Sequence, residues 1–109
     1  LNNWSPGKDL LALPHCEKSI FVLAARAARA FLEYSPMRYS ADEGERVYRS
    51  IPYGPLLDVF VIDMRSYRGA NSYNRQTQES DQTAYLGRPQ IEWLERGLAS
   101  SKAVWKVIA

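Results

Sequence analysis

The sequence predicts a mixed α/β fold, a sheet of both strand senses flanked by helices, and three observations carry that expectation. An Ala-rich amphipathic stretch covers residues 17–33, and a dense β-branched and aromatic run, Leu56-Leu57-Asp58-Val59-Phe60-Val61-Ile62-Asp63, follows it. The third observation is order: helix, strand, strand, long loop, helix and strand succeed one another along 109 residues, the alternation of an α/β layer structure.

Residues 1–14 read as loop, with turn chemistry at Ser5-Pro6-Gly7 and Pro14 closing it. The helix over 17–33 places Ile20, Leu23, Ala24, Ala27, Ala28 and Phe31 on one face at i, i+3, i+4 spacing. Arg26, Arg29 and Glu33 fall opposite. Phe21, Val22, Ala25 and Leu32 widen the apolar stripe, so more than one packing neighbour is expected. Pro36 disfavours helical geometry at Ser35 and ends the helix. Residues 39–45, polar and containing Gly44, read as loop.

An alternating segment over 46–53 reads as a strand. Pro52 cannot donate to a ladder, so it belongs at a sheet edge. Gly54-Pro55 supplies a turn into the run 56–63, which has the composition of a central strand buried on both faces. Residues 69–87, bounded by Gly69 and Gly87, are polar and without period, and loops of that length are usually functional or mobile. Pro89 suits a first helical turn. Ile91, Leu94 and Leu98 give a helical stripe that Gly97 weakens and Ser100-Ser101 end, and residues 104–108 begin another strand.

Composition narrows the function classes. Hydrophobic residues make up 46% of the chain, with 3 Trp and 7 Tyr, enough for one small core and not for two domains. A formal net charge of +2, with both signs interspersed, gives no field that would draw nucleic acid. The single cysteine, Cys16, cannot form an internal disulfide and decides nothing about redox compartment. No apolar run approaches membrane-spanning length, and no signal peptide is present. The chain starts at Leu1 and stops within a strand-like pattern, so an internal piece of a longer protein is expected.

Most familiar catalytic arrangements are missing. His15 beside Cys16 falls short of a zinc site, which needs three or four ligands, and reads as a helix entry with a buried thiol. No Gly-rich phosphate loop or nucleophile elbow occurs. Two segments remain. Asp63-Met64-Arg65-Ser66-Tyr67-Arg68-Gly69 lies beyond the central strand, where α/β proteins build sites. If extended geometry continues there, Asp63, Arg65 and Tyr67 share one side, and an arginine can clamp a phosphate. The structural alternative is an Asp-Arg pair that pins the next loop. Asn2-Asn3-Trp4 offers carbonyl oxygens to a hard metal, or is merely a loop before a turn.

These segments also carry a resemblance. Residues 57–68 closely resemble the strand and D-x-R-x-Y-R block of the PhoD-like alkaline phosphatase and phosphodiesterase family. Asn2-Asn3-Trp4 looks like the tail of that family's W-D-D-H-E-x-x-N-N block, and residues 27–38 resemble its helix ending in E-x-x-P-x-R. Leu86-Gly87, Gln90-Ile91-Glu92-Trp93-Leu94 and Trp105-Lys106-Val107-Ile108 resemble its L-G-x-x-Q-x-x-W-L helix and next core strand. The blocks run in order along essentially the whole chain.

The resemblance implies an internal fragment, residues 1–109, of a single metallophosphoesterase-like sandwich domain that is incomplete alone. It implies hydrolysis of phosphate mono- and diesters by metal-activated water, with iron and calcium as the metals. Asn2 and Asn3 match the asparagine pair at the edge of the metal site, each either a ligand or a ligand's neighbour. Arg65 and Tyr67 match positions on the active-site wall or in contact with the substrate phosphate. The other ligand blocks are absent from this sequence, so the fragment alone is expected to be inactive. Export to the periplasm or beyond, by a signal upstream, is the family habit. One alternative is a non-catalytic binding domain whose loop from Gly69 to Gly87 contacts an anionic partner. Another is a related enzyme of diesters or lipids.

Overall fold

A computed structural model describes residues 1–38, 44, 46–73 and 75–109. Among them α1 (Ile20–Tyr34), β1 (Arg49–Tyr53), β2 (Leu57–Val61), α2 (Arg88–Ser100) and β3 (Trp105–Ile108) follow in that order. The predicted loop over 39–45, Gly44 apart, lies outside the described residues, as does Asn74 of the predicted loop 69–87. The strand order is β1-β2-β3, antiparallel on one side of β2 and parallel on the other. This is the predicted mixed α/β class, a small mixed sheet flanked by helices.

Helix α1 starts three residues later than the sequence suggests. Ser19 has extended backbone and its side chain accepts the Val22 N–H at 3.4 Å, while the Glu17 carboxylate accepts the Ser19 N–H at 2.8 Å. That pair of bonds makes residues 17–19 the cap and not the first turn. Cys16 therefore sits in the approach loop with an exposed thiol, against the expected burial. Ser35, before Pro36, is extended and closes the helix as expected. The predicted apolar face is only partly covered: Ile20 is buried, Leu23, Ala24 and Ala28 are half-buried, and Ala27 and Phe31 are exposed.

Strand β1 also starts late, at Arg49 and not at 46. The buried Arg49 guanidinium donates to the carbonyls of Arg38, Arg46 and Val47 at 3.1, 3.1 and 3.2 Å, so the Arg46 and Val47 carbonyls, which a longer ladder would use, face a side chain instead. Pro52 lies on the sheet edge, as its missing N–H requires. Gly54, at φ 71, turns the chain between Tyr53 and its partner Leu57.

The middle strand is covered most fully on the face of Phe60. Phe60 is 2% exposed. Its ring meets Trp93 of α2 at 6.0 Å, and a β-carbon on Gly97 would lie 2.7 Å from it. Gly97, which lowers helix propensity, thus allows close approach of helix and strand. Ser101 donates to Asp58 at 2.5 Å and ties the end of α2 to the same face. On the opposite face Leu57, Val59 and Val61 are half-buried; their lateral partners Tyr53, Ile51, Trp105 and Val107 are exposed, and Arg49 beside Val61 is buried. Within residues 1–109 the burial expected on both faces of 56–63 is complete at Phe60 and partial on the opposite face.

Candidate functional site

Beyond Val61 the chain leaves the sheet and turns. Asp63 Oδ1 accepts the N–H of Arg65 at 2.8 Å and of Ser66 at 2.9 Å, an Asx-type turn that draws 63–66 into a loop. Extended geometry does not continue, so the expected alternation of Asp63, Arg65 and Tyr67 on one side gives way to this turn. The expected Asp-Arg pair takes another form as well, because the carboxylate binds the Arg65 backbone and not its guanidinium.

That guanidinium reaches the start of the chain. Arg65 Nη1 donates to Asn3 Oδ1 at 2.9 Å and to the Trp4 carbonyl at 3.3 Å. Asn71 Nδ2, from the polar loop, donates to the Asn3 carbonyl at 2.8 Å. Asn3 is held at φ 48, a conformation asparagine tolerates better than most residues. The two segments singled out from the sequence, 62 positions apart, are therefore joined. Asn2 is exposed, and its side chain has no hydrogen-bond partner among the described residues.

Tyr67 connects this corner to the core. Its ring meets buried Tyr48 edge-on at 5.1 Å, and Tyr48 meets Trp93 at 4.8 Å. The Tyr67 phenol is pushed above its usual range, first by burial, then by Tyr48 and the Asp63 carboxylate, with Arg46 pulling the other way. A cleft of about 410 Å³ opens here, with Asp63, Ser66, Tyr67 and Arg46 on its polar side and Trp4, Ile20, Phe21 and Ala24 on its apolar side. Arg68 lies elsewhere, stacked on Tyr85 at 4.6 Å in a second pocket of about 210 Å³ within loop 69–87.

Three further residues shape the site, two of which, Gly87 and Gln90, enter the sequence reading only through the L-G-x-x-Q-x-x-W-L resemblance. Gln90 is fully buried; its Oε1 accepts the Asp63 N–H at 2.7 Å, and its Nε2 donates to the Asp63 and Leu86 carbonyls at 2.8 Å each. Gly87, at φ 77, lies so close to Tyr67 that a β-carbon would come within 2.4 Å of its carbonyl oxygen. Tyr48, assigned only to strand alternation, is the hinge of the aromatic chain. A polar residue at Gln90, in helical register with Trp93, Leu94 and Gly97, was the available signal.

Among the described residues no group of three or more His, Cys, Asp or Glu side chains could hold a metal ion. Nor is any described helix long and apolar enough to cross a membrane.

The small mixed sheet and this strand-end corner define an α/β protein. The whole chain, residues 1–109, matches the model of the PhoD-like phosphatase family, and the chain belongs to that family. It is 35% identical over 99 residues to alkaline phosphatase D of Bacillus subtilis (strain 168), covering 82% of this chain and 17% of that protein. A solved structure described as the structure of PhoD superposes with a TM-score of 0.63 at 28% identity, over 98% of this chain and 22% of its own. The chain thus spans about a fifth of the length of these relatives.

Proposed function

We propose that residues 1–109 are an internal segment of a single PhoD-like catalytic domain and form one wall of a metal-dependent phosphoesterase site. The observation that supports this most directly is the Arg65–Asn3 hydrogen bond, which joins the two segments resembling the family's site blocks. In this reading the domain hydrolyses phosphate esters, with export to the periplasm or beyond following from family resemblance alone.

The residues present suit the edge of a metal centre and not the whole of one. Asn3 Oδ1 already accepts a cationic donor, which opposes a second cation on the same oxygen. Asn2 keeps a side-chain oxygen for a hard metal, and so is the better metal-facing member of the pair. Iron and calcium, by family resemblance, would polarise the phosphoryl oxygens and lower the pKa of the attacking water. Arg65 spends only Nη1 on described partners, which leaves Nε and Nη2 as cationic donors toward a phosphoryl oxygen. Tyr67, with its phenol held neutral, remains a hydrogen-bond donor on the cleft wall. The segment alone is expected to hydrolyse nothing.

The test is made on the full-length parent. Mono- and diester hydrolysis should disappear on chelation, and bound metal should fall more in Asn2→Ala than in Asn3→Ala. Hydrolysis that persists after the ions are shown to be gone would sink the reading. A binding domain is the second reading, supported by the pocket that Arg68, Ser72, Gln76, Gln82 and Thr83 line in loop 69–87. Such a domain would hydrolyse neither ester at any metal content.

A further inference from the structure

We infer that Gln90 is a positioning residue of the candidate site: from within the core it holds the Asp63 turn that carries Arg65 to Asn3 and Tyr67 into the cleft. The inference deepens the phosphoesterase reading, and its kinetic arm rests on that reading.

A glutamine amide is both donor and acceptor, and here one amide takes the N–H and the carbonyl of a single residue on a neighbouring element. Oε1 accepts from Asp63 N at 2.7 Å, and Nε2 donates to Asp63 O at 2.8 Å. Asp63 lies past the end of β2, where no strand partner takes these groups. The remaining Nε2 hydrogen goes to the Leu86 carbonyl at 2.8 Å, which anchors the amide to the start of α2. Each group at this 0% exposed position is therefore satisfied.

The restraint passes outward through named atoms. With its backbone held, Asp63 presents Oδ1 to the N–H groups of Arg65 and Ser66, and the Arg65 guanidinium then meets Asn3. The far end of the turn is held from the same helix start, where Gly87 admits the Tyr67 backbone. A leucine here would offer the Asp63 N–H and carbonyl neither bond, and a glutamate carboxylate lacks the donors. A residue serving only to fill the core would not need both.

The test compares Gln90→Leu, Gln90→Glu and Leu98→Ala in the full-length parent. Leu98 lies on the same helix, half-buried, with no bond to the turn. Gln90→Leu should lower kcat/KM by roughly 100-fold, the scale of a misplacement of about 1 Å. Leu98→Ala, compared at matched thermal stability, should lower it less than about threefold on the same scale. In Gln90→Glu a protonated carboxyl restores one donor, and burial raises its pKa. The activity of that variant relative to wild type should therefore fall as pH rises, whereas the Gln90→Leu ratio stays flat. Equal losses in Gln90→Leu and Leu98→Ala, or a flat Gln90→Glu ratio, overturn the inference. Amide exchange gives a readout free of catalysis: Asp63 and Ser66 should lose protection in Gln90→Leu while Val59 keeps its own. If the parent hydrolyses no phosphate ester, the functional reading fails, and unchanged exchange at Asp63 and Ser66 would still refute the role of Gln90. Should Gln90→Leu not fold, Gln90→Asn, one methylene short, takes its place in the exchange measurement.

Discussion

The two helices look alike as patterns and differ as structure. Helix α2 is joined to the sheet along its length, through Gln90 on Asp63, Trp93 on Tyr48 and Phe60, Gly97 against the Phe60 ring, and Ser101 on Asp58. Helix α1 carries the more apolar stripe, yet Phe21 is 71% exposed and Tyr34 89%, and only Ile20 is buried. Amphipathic spacing says that a face will favour burial and is silent about what covers it. What distinguishes α2 is residue chemistry placed for one neighbour: an amide that matches a backbone pair and a glycine that makes room for a ring.

Phe60→Ala should produce the largest effect, because it removes the ring on which α2 rests. A fully buried phenylalanine truncated to alanine costs about 3–5 kcal/mol, read in a denaturant titration. A loss below about 1 kcal/mol would mean the α2 side is no better packed than the α1 side, and the contrast would collapse.

Much of that contrast lies beyond sequence reading, for reasons visible in single residues. The run 56–63 announced a strand, Pro52 announced an edge and Pro36 announced a helix end, because each is a local steric or patterning fact. The candidate site is legible only in part. Asn3 and Arg65 each drew attention, by chemistry and by family resemblance, but their bond joins positions that only the folded chain brings together. Whether the chain stays extended at Asp63 is open in the sequence, because the backbone there is satisfied by Gln90, 27 residues later. The starts of α1 and β1 fall later than periodicity places them because side chains, Ser19 and Arg49, take backbone partners that helix and ladder would otherwise use.

Tyr67 sits between the two regions, one edge on Tyr48 and the other on the cleft beside α1. Its phenol is raised from the ordinary value of 10.0, so the folded chain holds the proton more tightly than the unfolded one. The stability this gives is complete below about pH 10 and is lost as pH rises through the higher folded value. Because the ring is partly exposed the effect should be modest. Tyr67→Phe should make the thermal midpoint less sensitive to pH in that alkaline range. An unchanged slope would detach Tyr67 from the Tyr48 and Asp63 corner and place it with the solvent-facing side chains of α1.

Phe21→Ala should have the smallest effect, and its smallness is the point. A side chain 71% exposed has little apolar area to lose, so the cost should stay within about 0.5 kcal/mol. Phe21 nevertheless lines the same cleft as Tyr67. A near-neutral result in the denaturant titration of this chain would confirm that α1 is held through Ile20 and its cap, with the rest of the stripe uncovered. A cost above about 1.5 kcal/mol would show that the stripe is covered in solution, since only a buried aromatic loses that much on truncation. The difference between the helices would then lie in what each one meets, and no longer in whether it is packed.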